Sequence, residues 1–387
     1  MNKLKKHDSI EEIFSEKLGL PDLVSILSEA PPYWVTPILI KAAKERTSKI
    51  TPQELLRIYD AKPDFYGVSF LEQRQIVKFQ SAFYSVLPKK FESVELSPIS
   101  PLGTNSVLSN ISQDKVMSTT RNSEVVGDPT TSLILEAASR RKKLAKKEET
   151  LFKTVELATF HRVLRMQPFD KTKGYMQQFN LLGVTTASRE NKYEKFIFNV
   201  MLEHIELWIN FTEHLNCSGY SFKNISVKIS NTQILENIIN VLSLSRETVN
   251  QTNNEDFNLI NHFNLNIPSE VLSMNEINSE IIEQYNLEAI MPQMLLFEER
   301  VLEPLKNKYP NIDFCFDFNR ILGLGYYRDF CFHIFATNKD GRNVQLSDGG
   351  SVDYIEKLLS DKKEYAITSG FGAELIQKLF MNKRDSY

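Results

Sequence analysis

Two neighbouring stretches of strand character most restrict the fold: Ile312–Phe318 (IDFCFDF) and Tyr326–Thr337 (YYRDFCFHIFAT), the second running into a tight Lys339-Asp340-Gly341 turn. Strands joined by short turns pair antiparallel, whereas a parallel neighbour needs a long crossover. Residues 221–230 (SFKNISVKIS) add a strand that alternates Phe222, Ile225, Val227 and Ile229, and residues 177–184 (QQFNLLGV) read as a buried one. Helical period appears at 70–87, where Phe70, Ile76, Phe79 and Phe83 share a face until Pro88 ends the run. It returns at 133–157, 195–215, 352–360 and from about 371. Residues 234–306 read as a mostly helical, Asn-rich insert. Strands clustered with flanking helices, and no repeat of 20–50 residues, indicate an α+β domain with a largely antiparallel sheet.

Ahead of this core, residues 1–66 form a helical appendage punctuated by prolines. Ser9-Ile10-Glu11-Glu12 has the capping-box pattern, and Thr51-Pro52-Gln53-Glu54 offers an N-cap, a proline at the first helical position and a reciprocal glutamate. Trp34 is expected to be core, since large aromatics supply buried area.

The chain has 387 residues, with 46 Lys+Arg against 49 Asp+Glu. That balance argues against coating nucleic acid, which needs a basic field. The basic run Arg140, Arg141, Lys142, Lys143, Lys146, Lys147 then reads as a solvated helix face. Three scattered cysteines form neither a disulfide framework nor a thiolate zinc site, which suits a cytoplasmic protein. No signal-peptide apolar region follows the N-terminal basic residues, and no run of 18 apolar residues could span a membrane. No metal site is expected: His204 and His214, with Glu203, Glu206 and Glu213, read as an exposed charged helix face.

No P-loop, nucleophile elbow or zincin motif is present, and Gly323-Leu324-Gly325 is a lone G-x-G. More is carried by an ordered series of segments. Thr119-Thr120-Arg121-Asn122-Ser123-Glu124 comes first, then Leu164-Arg165-Met166-Gln167 with Lys173-Gly174 leading to Gln178-Phe179. Gly325-Tyr326-Tyr327, Gly349-Gly350-Ser351-Val352-Asp353 and Gly370-Phe371-Gly372 close it.

In order and spacing this series, over about residues 70–380, resembles the catalytic core of class II aminoacyl-tRNA synthetases. The resemblance is to the histidyl-like branch, which also contains the regulatory subunit of ATP phosphoribosyltransferase. It implies a class II antiparallel sheet flanked by helices in residues 67–387. Residues 70–101 fall where motif 1, the usual homodimer contact, would lie. Arg121–Glu124 is similar to the "R-P-E-G-T" loop, Arg165 to Phe179 to motif 2, Gly325-Tyr326-Tyr327 to "G-L-D-Y-Y", Gly349–Asp353 to "G-G-R-Y-D", and Gly370–Gly372 to the start of motif 3.

The roles implied follow the chemistry of activation, in which ATP meets a carboxylate and a fixed guanidinium must neutralise the charge. Arg165 would be the catalytic cation, with Gln178, Phe179 and Lys378 completing a nucleotide site for ATP and Mg2+. Phe179 would stack adenine. Arg121, Glu124, Gln167, Tyr326, Tyr327, Gly349 and Gly350 would line the side of the amino-acid-like ligand, the glycines by letting it approach the backbone.

Departures from the pattern bear on activity. Gln167 stands where motif 2 has an acid. The motif 3 arginine, which holds the γ-phosphate, aligns near Gln377 beside Lys378. Leu322 stands at the arginine before "G-L-D-Y-Y", with Arg320 two positions away. Tyr387 follows motif 3 with no anticodon-binding domain, so conventional tRNA charging is not expected. The resemblance therefore implies a paralogue that binds ATP or an amino-acid-like ligand. The alternatives are a non-catalytic regulatory subunit acting on a protein partner and a ligase acting on a non-tRNA acceptor.

Overall fold

A computed structural model describes residues 15, 19–109, 111–169, 175–245, 249 and 257–382. The Ser9–Glu12 capping box, the Lys173-Gly174 pair and parts of the 234–306 stretch lie outside the described residues. Four helices lead: α1 (Leu23–Glu29), α2 (Pro32–Thr47), α3 (Pro52–Ala61) and α4 (Pro63–Tyr66). Thr51 caps α3 by accepting from the Glu54 amide, and Pro52 opens it. Helix α5 (Gln73–Val86) then turns Ile76, Phe79 and Phe83 inward.

Strands β1 (Glu92–Ser93), β4 (Val155–Leu164), β5 (Gln178–Arg189), β6 (Lys223–Asn231), β7 (Glu270–Val271), β8 (Asp313–Asp317), β9 (Phe330–Thr337), β10 (Asn343–Val352) and β11 (Glu364–Gly372) build one sheet. Its order is β1-β4-β5-β11-β10-β9-β6-β8-β7. Every adjacent pair is antiparallel except β1 with β4 and β6 with β8. Short β2 (Ile99–Pro101) and β3 (Ser123–Val125) form a separate two-stranded antiparallel sheet.

Helix α6 (Pro129–Leu144) starts on an Asp128 cap and Pro129, and lays Leu133, Ile134 and Ala137 over the β4–β5 side of the sheet. It ends at Leu144, earlier than the helical period suggested. Residues 155–164 are strand β4, hidden from pattern reading because both faces are at least half-buried, so polar and apolar residues do not alternate. Helix α7 (Tyr193–Asn216) crosses the opposite face. There Trp208 lies between Phe83 and Phe371, near-parallel to both, with centroids 5.7 and 5.3 Å away. Helix α8 (Thr232–Val241) and the apolar residues of the following short helices join the same core. Helix α9 (Tyr354–Leu359) packs beside α6, and α10 (Glu374–Phe380) follows β11.

Three environments differ from expectation. Among residues 19–66 no described side chain is buried, and Trp34 is 61% exposed; burial needs a second facing layer, and none of the described residues supplies one over Trp34. Arg141 is fully buried, not solvated, because Glu364 and two loop carbonyls surround it. His204 is buried as well, its ring nitrogens 3.0 Å from Thr186 Oγ1 and 2.9 Å from Ser369 Oγ. A neutral ring satisfies both contacts, whereas burial, and then the Lys90 charge, oppose protonation and push its pKa down to about 3.

Because the folded value lies below the unfolded value of about 6.5, this stabilisation is complete above pH 6.5. It is lost as pH falls from there towards 3, at up to about 1.4 kcal/mol per pH unit. Urea unfolding at pH 7, 6, 5 and 4 should show that slope, and His204→Gln should flatten it. An equal slope in the variant would assign the loss to other groups.

Candidate functional site

Side chains alternate across a strand, so the register decides which residues can meet. Val163 pairs with Phe179, Gly183 with both Thr159 and Gly370, and Gly370 with Asp348, which in turn pairs with His333. These residues share the face that α7 does not cover. Helix α6 covers its β4–β5 part and α9 packs on β11, leaving the stretch around Gly370 and Asp348, both partly exposed, as a cleft floor.

Arg165 and Phe179 do come together here. The guanidinium carbon lies 5.3 Å from the Phe179 ring centre, and Nε donates to the Gly127 carbonyl at 2.8 Å. This fixes a planar cation beside a ring face just ahead of the α6 N-terminus. The Gln177 carbonyl accepts from the Arg165 amide at 2.8 Å and extends the β4–β5 ladder to this point. Gln167 is half-buried two residues beyond Arg165.

Gln178 is directed to the other face. Its Nε2 donates to the Gly67 carbonyl at 2.5 Å, and its Oε1 accepts from Arg162 at 3.2 Å. Arg162 also pairs with the buried Glu374 at the start of α10, as do Ser69 and Asn180. Lys378 is exposed on α10, its ammonium 4.8 Å from the Phe70 ring centre. These two nucleotide-binding candidates therefore face residues 67–70 and are not gathered with Arg165. The first turn of α10 reads Glu374-Leu375-Ile376-Gln377, an acid and no cation, and Gln377 is wholly buried.

On the ligand side, Glu124 is fully buried. Its two oxygens accept from the Gly103 and Asn105 amides, the Asn105 side chain and Gln113, holding β3 to the turn that follows β2. Arg121 sits exposed in the turn leading into β3, before Asn122 at φ +53°. Gly349 and Gly350 are packing glycines. A Cβ on Gly349 would meet Ser369 at 2.4 Å and Phe332 at 2.6 Å, and one on Gly350 would meet Cys331 at 2.6 Å and Tyr327 at 2.7 Å. The open floor lies instead at Gly370, where an added Cβ would meet within 4 Å only the Leu182 carbonyl oxygen, at 3.3 Å.

Tyr326 and Tyr327 stand beside that floor. The loop before them turns through Gly323 and Gly325, at φ +94° and +78°, conformations that glycine adopts without strain. The Tyr326 hydroxyl lies 3.0 Å from Thr130 Oγ1, and Tyr327 donates to Asp348 Oδ1 at 2.9 Å. Burial pushes both phenols well above their ordinary range.

Two residues outside the expected set complete the cleft. Arg320 is buried, donates from Nη2 to Asp348 Oδ1 at 2.5 Å and lies 5.0 Å from the Tyr327 ring centre. Asp348 sits next to Gly349 on β10. Spacing puts Arg320 two positions off the family's arginine, and only the loop's fold shows it reaching the cleft. Asp348 directly precedes the Gly349-Gly350 motif, and that adjacency is its sequence signal.

No known family profile and no curated protein matches the chain. Solved structures do match its fold. An ATP phosphoribosyltransferase regulatory subunit/histidyl-tRNA synthetase from Bacillus halodurans superposes with a TM-score of 0.57 at 16% identity, over 81% of this chain and 82% of that one. A histidine–tRNA ligase subunit from Alicyclobacillus acidocaldarius gives 0.56 at 14%, covering 78% of this chain and 91% of that one. A histidyl-tRNA synthetase from Nostoc gives 0.54 at 14%, covering 81% and 74%. The chain thus has the class II synthetase-like α+β fold. Among the described residues no helix is long and apolar enough to cross a membrane.

Proposed function

We propose that this chain is a class II synthetase paralogue that binds a small amino-acid-like ligand and works as a regulatory subunit on a protein partner, without activating the ligand. One observation carries the reading: the first turn of α10 holds buried Glu374, paired with Arg162, where activation needs a cation on the γ-phosphate. Lys378 is turned to Phe70 and does not substitute. Losing one fixed cation at a phosphate costs about 3–4 kcal/mol of transition-state stabilisation. Likeness in fold to the Bacillus halodurans protein, described as a regulatory subunit as well as a synthetase, supports the regulatory role.

Arg165 with Phe179 favours a second reading of the same cleft, as a seat for an adenine nucleotide. Those residues fit a base and one phosphate, but the described residues supply no matching group for the triphosphate end. Mg2+ would enter with the nucleotide, held by its phosphates and one or two carboxylates. A ligase acting on a non-tRNA acceptor needs the full triphosphate site and is less well supported. A homodimer through residues 70–101 and a cytoplasmic location complete the proposal; conventional tRNA binding is not part of it.

Isothermal titration of the whole chain with each of the twenty amino acids, with and without ATP, tests the reading. One amino acid should bind in the absence of ATP. Binding of none, or binding only after ATP, would contradict it. Arg165→Ala should weaken ATP binding about tenfold or more, as expected for a lost charge-assisted contact, with little change in the unfolding midpoint. Unchanged ATP affinity would remove the nucleotide reading.

A further inference from the structure

The cleft floor offers its open space next to an unusual ion pair. Asp348 lies directly across from Gly370, on strands about 4.8 Å apart, and the next position along that row, Gly183, is covered by Pro129 and Leu133 of α6. A ligand group seated over Gly370 therefore faces Asp348.

The contacts of Asp348 are one-sided. Oδ1 takes Arg320 Nη2 at 2.5 Å and Tyr327 Oη at 2.9 Å, and it faces His333 Nε2 at 3.6 Å. The side chain still keeps 38% of its surface exposed, although Arg320 and His333 are almost wholly buried. Two buried nitrogens around it, Arg320 Nη1 and His333 Nε2, have no hydrogen-bond partner among the described residues. A purely structural buried pair satisfies its own groups, because unmet ones are costly. This one leaves one guanidinium nitrogen and one imidazole nitrogen unmet and turns part of a carboxylate toward the cleft.

We infer that Asp348 is a specificity-determining residue of the ligand site and selects a small amino-acid-like ligand carrying a cationic side-chain nitrogen, an ammonium or guanidinium, seated over Gly370. The inference rests on the ligand-binding reading above. Burial opposes ionisation of Asp348, but Arg320 outweighs it, with a hydrogen bond from Tyr327, and holds the carboxyl below the usual range. His333 is kept neutral by burial and by Arg320, so it does not supply a competing second cation. Arg320 occupies one carboxylate oxygen, and the acceptor capacity that remains forms a stronger bond with a charged donor than with a neutral one.

The test is titration calorimetry on the full chain with matched pairs: L-arginine against L-citrulline, and L-lysine against L-norleucine. The charged member of at least one pair should bind about tenfold tighter or better, and in Asp348→Asn the ratio should fall to about twofold or less. Asp348→Glu, which keeps the charge, should keep the preference; it decides together with the wild-type pairs where thermal unfolding shows Asp348→Asn to be misfolded. Equal binding within both pairs, or a preference that survives in folded Asp348→Asn, overturns the inference and leaves the ligand-binding reading standing. If no amino acid binds at all, both fall.

Discussion

Replacing Arg141 with methionine should destabilise the fold by about 3–5 kcal/mol, because it strands a buried carboxylate. Both partners are almost fully inaccessible, and the pairing is bidentate, with Nε and Nη2 each 2.9 Å from Glu364. The remaining donors reach the carbonyls of Leu151 and Lys153, in the turn between α6 and β4. This one side chain therefore ties α6, β4 and β11 at the base of the sheet. The double variant Arg141→Met/Glu364→Leu should recover a large part of the loss, since no buried charge is left stranded, although the Leu151 and Lys153 carbonyls lose their donor. Urea unfolding of the three proteins at pH 7 checks this. A loss under about 1 kcal/mol for Arg141→Met would show that the pair is hydrated in solution.

Trp208→Ala should cost a comparable amount, about 3–5 kcal/mol, through the cavity left in a packed core. The indole is wholly buried between the rings of Phe83 and Phe371, and so joins α5, α7 and β11 in one stack. Its Nε1 also donates to Ser369 Oγ at 2.8 Å, the hydroxyl that His204 contacts. Trp208→Phe keeps part of the stack but loses the indole donor, so its cost should fall clearly below that of alanine. Equal costs for the two variants in urea unfolding would place the stabilisation in the indole hydrogen bond and not in the stack.

These two residues also mark how far a sequence of this kind can be read. The helix carrying Trp208 and the strands β6, β8 and β9 are legible because their apolar residues recur at one clear period. Strand β4 is not, since it is covered on both sides and interrupted by His161 and Arg162. Arg141 looks like one of several solvated cations, because its partner Glu364 lies far along the chain and only the sheet order brings it near.

The site shows the same limit at finer scale. Arg165 and Phe179 stand out in the sequence, and they meet in the fold. Gln178 sits beside Phe179 in the motif, but adjacent strand residues point to opposite faces. Gly349 and Gly350 match a motif, yet their missing side chains make room for Ser369, Phe332, Cys331 and Tyr327. Gly370 leaves the open floor, and Asp348 faces it, by a register that sequence alone does not give.

In the proposed function the cleft binds a ligand without activating it. Amino-acid-dependent exchange of pyrophosphate into ATP, run with Mg2+ across all twenty amino acids, tests it most directly, because exchange requires a reversible adenylate. No exchange above background is expected with any amino acid, including one that binds by calorimetry. Exchange with a single amino acid, abolished by Arg165→Ala, would contradict it and establish the chain as an activating enzyme.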